Sequence, residues 1–367
     1  MMEQRVVRTR REAVNASSHA RYDSRMQAIR LSEPNKPLQS TLLSDPTPGP
    51  GEIVVDVHRA GICHTDAHYR AGTGTTNLPV TLGHEVAGVV SAVGADVTTV
   101  REGQRVALHY LLSCGECHRC KRHGEQFCPN GQMIGKERDG GYAQRIVVPA
   151  FNAIPIPDGV SSDVAAIMMC STATAYHALR LGNIQKGDAV AVLGFGGLGV
   201  SAVQLARALG AAEVYAVDVV PEKLELAAQF GAIPLDARET PVHNAILGAT
   251  DGRGVDIAVE LTGNAKVAHG GLRSLSPGGR LMIVAINLRQ FELNPFADLL
   301  VRERRIIGCS DHTRAELVEL MELARTGAID LSRAITRTVP LEAEAVNGVL
   351  DDLERGSSHL RTVIAVQ

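Results

Sequence analysis

The sequence predicts an α/β chain of two units, an all-β, barrel-like unit over the first 150 residues and a doubly wound parallel sheet beyond about residue 170. Three observations carry this. Short alternating runs broken by Pro and Gly fill the first part. Fully apolar runs alternate with helical stretches in the second. A G-x-G-x-x-G loop stands at the first strand-to-helix junction of that second part.

The first 25 residues hold six arginines, few apolar residues and no periodicity, and are expected to form a disordered extension. Glu3, Glu12 and Asp23 argue against an organelle-targeting presequence, which is acid-poor. From Met26 the β pattern begins. Ser44 to Gly51 is a Pro- and Gly-rich turn, Glu52 to His58 alternates as a strand does, and Val89–Val93 and Arg105–Leu108 are further strands. Later, Ala189–Leu193 reads as a buried parallel strand, followed by a helix from Val200 to Leu209 that Gly210 ends. Strand Val214–Val217, helix Glu222–Phe230, and strands Ile257–Leu261 and Arg280–Ala285 continue the alternation. Helices near Arg314–Thr326 and Leu341–Arg355 and a strand at Arg361–Val366 close the chain.

The glycine loop Gly194-Phe-Gly196-Gly197-Leu198-Gly199 has the context that a dinucleotide site needs. The first Gly permits a tight turn, the second lets backbone approach a pyrophosphate, and the third allows close packing of helix on strand. Asp218 ends the next strand, 19 residues after Gly199, where a carboxylate accepts from ribose hydroxyls. Val219 and Val220 follow it, with no cation before Lys223. A 2′-phosphate would meet negative charge there, so the expected cofactor is NAD rather than NADP.

Four of the seven cysteines, Cys114, Cys117, Cys120 and Cys128, fall within fifteen residues in a C-x2-C-x2-C-x7-C run. That spacing supplies four thiolates to a structural zinc, and suits a metal better than a disulfide framework in a chain of this length. Cys63, Cys170 and Cys309 are too scattered for a disulfide scaffold, and reduced thiols in a cytoplasmic protein are the simplest account. Net charge is −3 with mixed signs, and aromatic content is 3% with no Trp, which gives no basis for a nucleic-acid partner. The uncharged run Ala189–Ala206 is interrupted by the glycine loop and reads as strand, turn and helix rather than a membrane span.

Three further motifs give the chain a family likeness. Gly61-Ile-Cys63-His64-Thr65-Asp66, Gly83-His84-Glu85-Val-Ala-Gly88 and Met169-Cys170-Ser-Thr-Ala-Thr174, with the cysteine lobe, resemble the motifs of zinc-containing medium-chain alcohol dehydrogenases over residues 26–367. The resemblance implies a GroES-like β-barrel catalytic domain (26–171 and 311–367) and a Rossmann NAD-binding domain (172–310). It implies two zinc ions per chain, a catalytic one on Cys63, His84 and Cys170 and a structural one on the lobe. The Cys2His set leaves a position open for substrate, whose hydroxyl is acidified so that hydride can pass to NAD. Thr65 would take the hydroxyl proton, which would pass through the cofactor ribose to His68 and out to solvent, and Asp66 would orient His84. Glu85 is either a transient ligand or a buried carboxylate.

By the same likeness, His64 and Arg361 resemble pyrophosphate contacts, Lys223 a ribose contact and Thr174 a nicotinamide contact, while Tyr110 and Ile286 line the substrate pocket. Cysteine at position 170, where polyol dehydrogenases of the superfamily place Glu, implies a primary or secondary alcohol and its aldehyde or ketone. A polyol or amino-alcohol dehydrogenase and a non-catalytic NAD-binding protein are the alternatives. The family likeness implies a homodimer or homotetramer acting on small molecules, without a membrane.

Overall fold

The computed structural model describes residues 25–286, 289–290, 292–356 and 359–367. The expected extension lies outside the described residues as far as residue 24. Arg25, assigned to it from sequence, instead opens the strand Arg25–Leu31, where its backbone pairs opposite Ser44. Pairing with Gln39–Ser44 carries the strand one residue past its apolar part.

Strand Glu52–Ile62 is the spine of the first unit. It pairs antiparallel with Glu85–Val93, Arg145–Pro149 and Arg361–Ala365. The sheet runs in the order Ala153–Pro155, Arg105–Leu108, Glu85–Val93, Glu52–Ile62, Arg361–Ala365, Ile335–Pro340, with Arg145–Pro149 also on the spine. The spine continues four residues past the His58 where sequence stops it. The pair His58-Arg59 breaks the apolar alternation, yet Ala60 and Gly61 are held by partners on both sides and Ile62 by Thr362 on one. The last strands, joined by helix Ala343–Glu354, return the end of the chain to the first unit's sheet.

The second sheet is wholly parallel. Its order is Ile233–Asp236, Glu213–Asp218, Ala189–Leu193, Val255–Glu260, Leu275–Ile283, Arg305–Gly308, or 3-2-1-4-5-6 by chain order. This is the doubly wound order, with its crevice between the first and fourth strands. Both faces of Ala189–Leu193 are covered, which is why it is apolar throughout. Val190 and Val192 pack with Val200 and Val203 of helix Gly197–Ala208, and Ala191 and Leu193 with Ile246 and Leu272 on the other face. Helix Gly197–Ala208 begins three residues before the predicted Val200, because Gly197 and Gly199 enter the helix. Gly210, past its end, has φ +97°, as a left-handed helix stop requires. Helices Val242–Ala249 and Ala265–Arg273 complete the alternation.

The cysteine lobe hangs from a two-stranded ribbon, Leu111–Leu112 against Gln132–Met133. No helix among the described residues is long and apolar enough to cross a membrane.

Candidate active site

Three elements converge below the glycine loop. Cys63 ends the spine strand and caps the short helix His64–Arg70. His84 and Glu85 lead into strand Glu85–Val93. Cys170 lies in a π-helical turn, Met168–Thr172, between helices Ser162–Ile167 and Ala173–Leu181. Wide turns of this kind recur at functional sites, where the extra residue re-aims a side chain. The ligand atoms of Cys63, His84, Glu85 and Cys170 all lie within 4.8 Å of one another.

The two sulfurs are 3.9 Å apart. A disulfide would need about 2 Å, whereas thiolates at about 2.3 Å from a tetrahedral zinc stand about 3.8 Å apart. His84 is fully buried, and its Nδ1 lies 3.4 Å from Asp66 Oδ1. Its Nε2 has no hydrogen-bond partner among the described residues. An orphaned nitrogen beside two close sulfurs is what a metal site looks like in the protein alone. The donor set therefore fits zinc.

Asp66 is the electrostatic hub. Fully buried, it accepts from the Cys63 N–H (2.9 Å), the Tyr142 hydroxyl (2.8 Å) and the Gly83 N–H (3.3 Å) while facing His84. Burial opposes protonation of His84, but Asp66 and then Cys63 outweigh it and raise its pKa. A hydrogen bond from Cys170 leads the effects that hold Cys63 well below the ordinary thiol range, and the same contact together with burial pushes Cys170 up. The two thiols thus differ in how readily they give up a proton, and both must do so to hold a cation.

Glu85 turns its carboxylate to the Arg361 guanidinium, and both are buried. Burial pushes Glu85 up to about 8 although Arg361 pulls it down. Space for that carboxylate exists because residue 61 is glycine: a Cβ there would collide with Glu85 Oε2. Arg361 also passes beneath the glycine loop, where a Cβ on Gly197 would lie 2.6 Å from its Cδ and 2.9 Å from its Nη1.

In the loop, Gly194 has φ +101°, and a Cβ on Gly199 would strike the Gly194 carbonyl. Gly196 caps the helix and faces open space. The first N–H groups of the helix, including that of Leu198, have no side-chain cap. Such an N-terminus is suited to a phosphate. Asp218 binds the loop from outside, accepting from Phe195 N (2.7 Å), Val219 N (2.7 Å) and Val220 N (3.0 Å). Lys223 is on the first turn of helix Pro221–Gln229. The chain's residues fit a dinucleotide.

Other expected residues fall as follows. Thr65 Oγ1 lies 3.6 Å from Cys63 Sγ. His68 is half-buried, with its ring 4.7 Å from that of the exposed His64. Thr174 is on the first turn of Ala173–Leu181, and its carbonyl is 3.9 Å from Cys309 Sγ. The Tyr110 ring packs edge-on against His84, centroids 5.2 Å apart. Ile286, expected at the substrate pocket, stands 56% exposed. Sequence reasoning missed Tyr142, the Glu85–Arg361 contact, and Asp311, which accepts from the Tyr110 hydroxyl at 2.7 Å. No local motif signals these contacts, since their partners are 76, 276 and 201 residues apart.

In the lobe, Cys114–Cys128 and Cys117–Cys120 sulfurs are 3.5 Å apart, Cys117–Cys128 3.9 Å and Cys114–Cys120 4.0 Å. These are again edges of a zinc tetrahedron and too long for disulfides. Backbone N–H groups point at the sulfurs. Those of Glu116 and Cys117 bring Cys114 down to about 6, and that of Cys120 lowers Cys117.

Fold and site together define a zinc-binding, dinucleotide-dependent oxidoreductase, and the relatives agree. Residues 49–158 match the alcohol dehydrogenase GroES-like domain family, and residues 197–326 the zinc-binding dehydrogenase family. The chain is 35% identical over 346 residues to an alcohol dehydrogenase of Geobacillus stearothermophilus, covering 93% of this chain and 100% of that one. It is 31% identical over 349 residues to an NAD-dependent alcohol dehydrogenase of Sulfolobus acidocaldarius, with coverage of 93% and 100%. A solved Sinorhizobium meliloti 1021 protein bound to NADP superposes with a TM-score of 0.86 at 31% identity, over 94% of this chain and 100% of that one. The chain belongs to the zinc-containing medium-chain alcohol dehydrogenase family.

The lobe geometry makes a prediction. Cys117→Ser is expected to remove the lobe's zinc and to cost on the order of 3 kcal/mol of stability, with activity lost only as the fold is. Metal analysis and thermal unfolding check it; a variant without lobe zinc but with native stability would refute the bracing role.

Proposed function

We propose that the protein is an NAD-dependent zinc alcohol dehydrogenase that interconverts a primary or secondary alcohol and its aldehyde or ketone. The observation that carries this reading is the meeting of Cys63, His84 and Cys170, with an orphaned imidazole nitrogen, on the far side of Arg361 from the glycine loop. The catalytic unit is residues 26–171 and 311–367, the dinucleotide unit residues 172–310, and the lobe holds a second zinc. Zinc on the cluster supplies the Lewis acidity that lowers the pKa of the alcohol hydroxyl, and NAD supplies the hydride acceptor.

The protein's own groups do the rest. Asp66 fixes the His84 ring so that Nε2 faces the sulfurs. Thr65 accepts the hydrogen bond of the substrate hydroxyl beside Cys63. His68 takes up the departing proton and passes it on, because burial and the neighbouring His64 lower its pKa and favour the neutral imidazole that can accept it. Asp218, fixed by three backbone N–H groups, presents negative charge where NADP would bring a phosphate. This supports NAD.

The deciding experiment is metal analysis with turnover over a panel of alcohols. About two zincs per chain and NAD-linked oxidation are expected. In Cys63→Ser, one zinc and at least about a thousandfold in kcat should be lost while NAD still binds. Native turnover in that variant would remove Cys63 from the ligand set; one zinc and no turnover of any alcohol would sink the whole reading.

His68→Gln should lower kcat about tenfold at pH 7. The deficit should narrow as pH rises and solvent base takes over the proton. In the native protein, rate falls as pH drops through the depressed His68 pKa, since imidazolium accepts nothing. A pH–rate profile unchanged by the substitution would take His68 out of proton transfer.

Asp218→Ala should weaken NAD and cut the NAD-over-NADP preference about tenfold or more. Steady-state kinetics with both cofactors read this directly, and an unaltered ratio would assign the choice to another residue.

A further inference from the structure

Tyr142 lies just before strand Arg145–Pro149, and its ring packs against the backbone of Gly83, the residue that precedes His84. A Cβ on Gly83 would collide with that ring. Two more glycines permit the approach: a Cβ on Gly140 would strike the Gly83 carbonyl, and one on Gly141 the Val86 side chain. Backbone bonds fix the turn, since Tyr142 N donates to the Leu82 carbonyl (3.0 Å) and the Tyr142 carbonyl accepts from Ile29 N (2.8 Å). The phenol is fully buried, and its hydroxyl donates to Asp66 Oδ2 at 2.8 Å. Burial and the Asp66 charge push it well above its ordinary pKa, so it remains a neutral donor. Asp66 also accepts from the N–H groups of Cys63, itself a ligand, and of Gly83, the residue before one. The Tyr142 hydroxyl comes instead from a segment that carries no ligand, 76 residues from Asp66.

We propose that Tyr142 is a positioning residue: its hydroxyl anchors the Asp66 carboxylate from outside the ligand segments and so holds Cys63 and His84 in place for the metal. The proposal rests on the zinc reading of the cluster. Without the hydroxyl, Oδ2 keeps the Cys63 N–H, and the carboxylate is free to turn away from His84 Nδ1, which is 3.4 Å from Oδ1. The imidazole then loses its orientation before a metal arrives. An opposing effect is that a carboxylate with one donor fewer pulls harder on His84, which favours the metal. At 3.4 Å that contact is too long to gain much, so the loss of orientation wins. Outer partners of metal ligands commonly change affinity by about 10–100-fold.

Tyr142→Phe tests it, because the variant keeps the ring against Gly83 and removes only the hydroxyl. Zinc is counted per chain as a chelator is titrated into the holoprotein. In Tyr142→Phe one zinc should leave at a chelator concentration about tenfold lower than in the native protein, and the other as in the native protein. Cys63→Ser, which keeps only the lobe zinc, identifies the second: adding Tyr142→Phe to it should leave release unchanged. In an Asp66→Ala background, where the hydroxyl has nothing to hold, Tyr142→Phe should add less than about twofold; the single variant decides by itself if Asp66→Ala does not fold. Native or tighter retention of both zincs in Tyr142→Phe, equal loosening of both, or the full tenfold effect without Asp66 would overturn the proposal and leave the zinc reading intact. A native protein with no zinc beyond that of the lobe would overturn the zinc reading, and this one with it.

Discussion

The contact between Glu85 and Arg361 is the constraint on which the rest of the site depends. It joins residues 276 apart in sequence, and backbone register delivers both. Gly61 on the spine strand is opposite Glu85 on one side and Val363 on the other. A one-residue slip of the last strand would turn Arg361 to the other face of the sheet. Held as it is, Arg361 reaches from Glu85, beside the cysteine–histidine cluster, to the underside of Gly197, so one side chain sets that cluster against the glycine loop. Removing either partner would strand a buried polar group, at a cost of about 3–5 kcal/mol if it is charged.

The groups around that contact pair off in charge and leave two thiols side by side. Asp66 is surrounded by donors and faces His84, while Glu85 has Arg361. The contact between the two thiols lowers the pKa of Cys63 and raises that of Cys170. A dication bound there would neutralise both thiolates, displace the protons they carry and give His84 Nε2 a partner. Metal binding of this kind would be coupled to folding of the cluster.

How much of this could be read from sequence depended on distance along the chain. The lobe was fully legible because its four ligands fall within fifteen residues and its spacing is itself the geometry. The glycine loop and Asp218 were legible because a strand, a turn and a helix announce their own boundaries. Cys63, His84 and Cys170 could be joined only through family likeness, since no periodicity links three elements spread over more than a hundred residues. Arg361 was expected at a phosphate, and its burial against Glu85 was invisible because it arises from strand pairing.

The lobe's place in the structure gives it a reach beyond its own loop. Glu125, between Cys120 and Cys128, accepts from the Arg314 N–H at 2.6 Å, at the first turn of helix Arg314–Arg325. A carboxylate there satisfies an otherwise free N–H and opposes the positive end of the helix. The Arg314 side chain adds hydrogen bonds to the carbonyls of Phe151 (2.8 Å) and Ala153 (3.3 Å). Three residues before Arg314 lies Asp311, and beyond it Tyr110 and then His84. The lobe therefore fixes the start of a helix, and the helix leads from the turn that holds Asp311 beside Tyr110. A lobe outside the ligand cluster is thus tied to it by short, directional contacts, each of them between parts far apart in sequence.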